Sequence, residues 1–110
     1  MSGYSDNLQL IGAQKTVTAA GTREPLAVGN SSIMKVRSVT IRALRGNTGD
    51  IYLGDSTVSA AVSYILAAGE TFNIEVSMEE WVNGVSINLS KIYLDAAVNG
   101  EGVCFAYVRA

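Results

Sequence analysis

Asp50-Ile51-Tyr52-Leu53-Gly54-Asp55-Ser56-Thr57-Val58-Ser59, followed by Leu66-Ala67-Ala68-Gly69-Glu70-Thr71-Phe72-Asn73-Ile74-Glu75-Val76, decides the fold class. Phe72, Ile74 and Val76 alternate with Asn73, Glu75 and Ser77, which is the period of a half-buried strand. Gly54-Asp55 ends one strand, and Ala68-Gly69 turns a corner into the next. The block therefore reads as two strands joined through a glycine corner.

The same period recurs outward from this block. Val39, Ile41 and Ala43 alternate with Thr40 and Arg42, and Ile92, Leu94 and Ala96 alternate with Tyr93 and Asp95. Val103-Cys104-Phe105-Ala106-Tyr107-Val108 is apolar on both faces, as a central strand is. Turn chemistry separates the runs: Gly21 to Pro25, Arg45 to Asp50 with two glycines open to positive φ, and Asn83-Gly84 and Asn99-Gly100 as hairpin signals. The pattern places strands near 8–11, 14–19, 25–28, 35–44, 50–54, 63–67, 71–77, 85–89, 91–96 and 102–109, some of which merge. Ser56 to Ser63 and Met78 to Val82 each read as a short helical turn or a loop. The expectation is an all-β protein: an antiparallel β-sandwich or jelly-roll-like barrel of about eight short strands. Residues 8–110 form its single domain, preceded by a polar, flexible N-terminal arm over 1–7.

Composition narrows the function. Of 110 residues, 48% are apolar and only 16% charged, against roughly 25% charged in average soluble domains. Either a dense core sits under a Ser/Thr/Asn surface, or part of the surface is covered by copies of the chain or by a partner. The net charge is −2 with no basic run, which argues against nucleic-acid binding. No apolar stretch approaches the ~20 residues of a membrane span. No basic and apolar leader opens the chain, so synthesis and folding in a cytoplasm are expected. Cys104 is the single cysteine, so no intrachain disulfide forms, and its apolar run predicts a small buried hydrophobe.

The chain has no histidine. That removes Ser-His-Asp and Cys-His nucleophiles and most zinc sites. Gly54-Asp55-Ser56 has the look of a lipase nucleophile block, but no base is present to take the serine proton. A strand-end turn, with Ser56 bonding the local backbone, is the better reading. Asp50, Asp55, Glu70, Glu75, Glu79, Glu80, Asp95 and Glu101 supply carboxylates, yet no spacing selects a hydrolytic pair. Asn47, Asp50 and Asp55 do not reproduce a dense calcium loop. No enzyme activity, cofactor or metal is expected. The candidate partner contacts are aromatic. Tyr52 and Tyr93 lie out of phase with the aliphatics of their strands and face outward; Trp81 is either core-edge or an exposed platform; Tyr4 lies in the arm.

Residues 46–108 resemble the small β-sandwich structural proteins of tailed bacteriophages. The resemblance rests on Gly49-Asp50-Ile51-Tyr52-Leu53-Gly54-Asp55-Ser56-Thr57-Val58-Ser59, Leu66-Ala67-Ala68-Gly69-Glu70, Leu89-Ser90-Lys91-Ile92-Tyr93-Leu94-Asp95 and Gly102-Val103-Cys104-Phe105-Ala106-Tyr107. Many such proteins carry proline before the Gly-Glu corner, where this chain has Ala68. The resemblance implies a non-catalytic virion component of the head decoration, or cement, type. It implies a homo-oligomer, often a trimer, that clamps the major capsid protein from outside. Its location would be the capsid surface, after synthesis in the host bacterial cytoplasm. A head–tail connector, tail or fibre component is the neighbouring alternative, and a carbohydrate-binding module is the alternative from another class.

Overall fold

Among the described residues eight strands form, in two antiparallel four-stranded sheets. The structure, a computed structural model, describes residues 9–29 and 35–109. The strands are β1 (Gln9–Thr16), β2 (Glu24–Pro25), β3 (Val36–Ala43), β4 (Ile51–Gly54), β5 (Tyr64–Leu66), β6 (Thr71–Glu75), β7 (Tyr93–Ala96) and β8 (Gly102–Arg109). The first sheet has the order β1-β8-β3-β6 and the second β2-β7-β4-β5. Every connection crosses from one sheet to the other, except β4 to β5. That order is the doubly wound Greek key of a jelly roll, in which two packed sheets share one core.

Strand alternation builds that core. Val39, Ile41 and Ala43 of β3, Val103, Phe105 and Tyr107 of β8, Ile51 and Leu53 of β4, and Leu94 and Ala96 of β7 are all buried between the sheets. Burying a residue such as Ile41 or Leu94 contributes about 1.5–3 kcal/mol. β8 is the central strand that its double apolar face predicts, paired to β1 on one side and β3 on the other. The open sides of the sandwich are closed by side chains. On one, Lys15 Nζ meets Glu24 Oε1 at 2.8 Å, tying β1 to β2. On the other, the Tyr64 and Phe72 rings lie 4.7 Å apart between β5 and β6.

The expected runs 8–11 and 14–19 are one strand, because Gly12 continues the ladder with β8 without a break. The expected strand at 85–89 reduces to a single bridge, Val36 to Ile87, followed by a 3-10 turn at Leu89–Lys91. Neither Asn-Gly pair makes a hairpin. Asn83-Gly84 closes the short helix α1 (Met78–Val82): Gly84 N–H donates to Trp81 O and Val85 N–H to Glu80 O, the paired bonds of a Schellman cap. Asn99-Gly100 lies on the arch from β7 to β8, which belong to different sheets.

The Leu66-to-Glu70 corner is an arch between the sheets. Glu70 N–H donates to Ala67 O (2.9 Å), Gly69 has a φ of +81°, and Glu70 Oε1 accepts the Ala67 N–H at 2.7 Å. The Arg45-to-Asp50 turn uses neither glycine at positive φ. Gly49 is instead required by space, since a Cβ there would lie 2.9 Å from Ala97 Cβ. The turn is anchored by Glu101, whose carboxylate accepts the N–H groups of Thr48 (2.7 Å) and Gly49 (2.9 Å).

Candidate functional site

Residues paired across antiparallel strands share a face of the sheet. In the second sheet Tyr52 stands opposite Asp95 on one side and Ile65 on the other, and Tyr93 stands opposite Gly54 and Pro25. Their strand neighbours Ile51, Leu53, Leu94 and Ala96 point into the core. Tyr52 and Tyr93 therefore both face outward, as their phase predicts, and both are half-buried. They are diagonal neighbours across β4 and β7, a separation of roughly 7–8 Å. With exposed Ile65 and with Pro25 they make one aromatic–aliphatic surface on a sheet whose other face is locked in the core.

Tyr93 stands between two shallow hollows. One is lined by Pro25, Val28, Asp55, Ser56, Ser90 and Lys91, and the other by Gly21, Thr22, Arg23 and Ser56. The second owes its wall to Asp95. This side chain points outward by register, yet it is buried, because the loop before β2 folds over it. Asp95 Oδ1 accepts the N–H groups of Gly21 (2.9 Å) and Ala96 (2.8 Å), and Asn99 Oδ1 accepts that of Ala20 (2.7 Å). The pinned loop sets Thr22 and Arg23 beside Tyr93. The other wall uses Asp55, which accepts both the N–H and the hydroxyl of Thr57. Those bonds, the hydroxyl first, hold the Asp55 carboxyl below its ordinary value, and the Arg23 charge adds the smallest share. Ser56 was expected to bond the local backbone; Asp55 does so instead.

The remaining predicted residues scatter. Trp81 is half-buried on α1 and borders a separate shallow hollow with Lys35, Gly84, Val85 and Ser86. Tyr4 lies outside the described residues, as does the arm over 1–7. Cys104 is not a core residue: it is half-buried on the outer face of the first sheet, opposite Gln14 and Arg42. Sequence reasoning missed Arg23, Pro25, Ile65 and Lys91 as neighbours of the tyrosines. Ile65 had a signal, since it is out of phase with Leu66, but the others depend on which strands pair.

Several carboxylates serve the fold. Glu24 bonds Lys15 and the Thr18 N–H, Glu70 closes its corner, and Glu80 completes the capping box with Ser77. Glu24 is held below its ordinary value chiefly by Lys15, and Glu101 chiefly by the Thr48 N–H. Among the described residues no three acidic or thiol side chains gather as a metal ion requires. What this surface can do chemically is adhere: two tyrosine rings offer flat apolar area with hydroxyl tips, and Arg23, Lys91, Asp55 and Ser56 offer hydrogen bonds around them. Comparison of the chain with family models, with curated proteins and with solved structures finds no match in any of the three.

Proposed function

We propose that this chain is a non-enzymatic structural protein of a tailed-bacteriophage virion, which decorates and stabilises the capsid exterior as a homo-oligomer. The observation that carries the reading is the outward Tyr52–Tyr93–Ile65 surface on a rigid sheet. Interfaces gain most of their energy from such aromatic anchors held without loss of conformational freedom. The low charge of the chain supports it, because interface cores are depleted of charge. The motif resemblance over residues 46–108 supplies the virion assignment. The jelly roll is compatible with this role, since viral capsid proteins and lectins both use it, and for that reason the fold alone does not choose between them.

The partner is the major capsid protein in its assembled lattice. Binding only the assembled form stabilises it by mass action. The test is co-sedimentation of the purified chain with empty heads of the phage that encodes it. Saturable binding to heads and none to unassembled capsid subunits supports the proposal; absence of binding to heads overturns it. The hollows beside Tyr93 favour one second reading, a carbohydrate-binding module, in which a sugar ring stacks on Tyr93 and its hydroxyls meet Arg23, Ser56 and Lys91. Retention on a polysaccharide column without binding to heads selects that reading. Labelling at the neck or tail of intact particles selects a connector or fibre role.

A further inference from the structure

β1 carries an open edge unlike the other three. It pairs with β8 alone, in an unbroken register from Gln9 opposite Arg109 to Thr16 opposite Gly102. Just past its end, Val17 donates its N–H to Glu101 O (2.9 Å) and accepts that of Gly100 (2.7 Å), so the Val17 backbone faces β8. Backbone groups alternate sides along an antiparallel ladder. Leu10, Gly12, Gln14 and Thr16 therefore turn their N–H and C=O groups away from β8, toward the edge of the sheet. The other side of the ladder agrees: the Gly102 carbonyl accepts Leu44 N–H at 3.0 Å, turned to β3 and not to Thr16. Among the described residues these four make no backbone bond to another segment.

Natural edges are blunted by shortness, proline, bulges or charge. β2 has two residues, one of them Pro25; β5 has three; β6 has five and ends on Glu75. β1 has eight, with no proline and no bulge. Its one charge, Lys15, is engaged by Glu24 across the sandwich. Gly12 adds an independent observation. Its φ is not positive, and a Cβ built on it would meet nothing within 4 Å. Neither conformation nor packing among the described residues requires glycine there, and glycine weakens a strand. Glycine inside a strand often accompanies a bulge, a bend or the close approach of another backbone, and β1 has no bulge.

We propose that β1 is a self-association edge, which pairs antiparallel with β1 of a second copy about a two-fold axis at Gly12. Facing residues share a face, so only registers that pair residues of like parity keep both cores on one side. The register centred on Gly12 does so. It sets Leu10 opposite the partner's Gln14 and Ile11 opposite the partner's Ala13, brings no like charges face to face, and joins two four-stranded sheets into one. The interface is isologous, as a two-fold requires. This inference deepens the homo-oligomer part of the proposed function and does not rest on the capsid.

Sedimentation velocity of the full chain over a range of concentrations tests it. The wild type is expected to form a concentration-dependent dimer. Gly12→Pro removes an N–H that points to the open edge and none that points to β8. It is expected to weaken the dimer about 100-fold or more, with far-UV circular dichroism unchanged. Ala13→Pro removes an N–H that faces β8 and is expected to lower Tm instead. Should Gly12→Pro fail to fold, Leu10→Lys with Gln14→Lys decides, since the register sets the new charges opposite one another. A wild type that stays monomeric at its solubility limit overturns the proposal, and head binding by that monomer would leave the capsid reading standing. A dimer that survives both edge variants overturns it as well.

Discussion

Replacing Gly102 with alanine tests how closely the first sheet is built. A Cβ at this position would fall on the Lys15 carbonyl and 2.6 Å from Thr16 Cα, where ordinary contact is 3.4–4 Å. Both neighbours are backbone, so β1 and β8 must part by about 1 Å. The Gly100–Val17 and Val17–Glu101 bonds, now 2.7 and 2.9 Å, lie at that spot, and the Gly102 carbonyl also accepts from Leu44 and from Asn47 Nδ2 (2.9 Å). Losing two or three of these costs about 0.5–1.5 kcal/mol each. Loosening the packing around Val17 and Val103, both fully buried, adds about 1–3 kcal/mol. The sum, about 2–7 kcal/mol, is a large part of the roughly 5–15 kcal/mol that holds a domain of this size together. Urea unfolding followed by tryptophan fluorescence and circular dichroism should show a loss in that range, or Tm lower by roughly 8 °C or more. Gly46→Ala is the control, since a Cβ at Gly46 meets nothing and its φ is not positive; it should be neutral or slightly stabilising. A Gly102→Ala protein within about 1 kcal/mol of wild type would refute the β1–β8 approach described above.

Three further expectations follow from the same contacts. Ala68 is the second residue of the corner turn, with Gly69 at positive φ in the third; that is the geometry in which proline is preferred, and Ala68→Pro should raise stability by about 0.4–1 kcal/mol in thermal melts. Glu24, Asp55 and Glu101 are all held below their ordinary values, so their contribution is complete above the unfolded-state values of 4.5 and 3.8 and is lost as pH falls below them. Urea midpoints should thus drop on acidification through that window, and Glu101→Gln should make the drop shallower; a midpoint independent of pH would contradict the assignment. Asp95→Ala leaves the Gly21 and Ala96 N–H groups without their acceptor and should cost about 1–3 kcal/mol, with faster hydrogen exchange at Gly21 and weaker partner binding through Arg23.

The alternation at residues 39–43, 72–76 and 92–96 was legible because its period survives into the structure: the same residues that recur every second position fill the core. The outward phase of Tyr52 and Tyr93 was legible for the same reason. Which strands pair was not. Asn99-Gly100 permits a hairpin and an inter-sheet arch equally, since both need the positive φ that Gly100 adopts. Asn83-Gly84 serves a helix cap as well as a turn, and here Ser77 and Glu80 form the capping box that makes the helix win. Cys104 reads as core because its run is apolar throughout, but β8 is covered on one face only, so half of that run meets the outside. Asp95 reads as a solvated acid because nothing near it in sequence reveals that residues 20 and 21 will close over it. The polar neighbours of Tyr93 come from three separate segments and had no local signature.

Hydroxyl-radical footprinting of the chain, free and bound to empty heads, addresses the central claim most directly. Adhesion through the outer face of the second sheet requires oxidation of Tyr52, Tyr93 and Ile65 to fall on binding, while Trp81 keeps its free-state reactivity. Alanine at both tyrosines should then weaken head binding about 30-fold or more, the effect of losing an anchor worth about 2 kcal/mol. Unchanged labelling of the two tyrosines on bound heads, or protection confined to Trp81 and α1, would contradict the account.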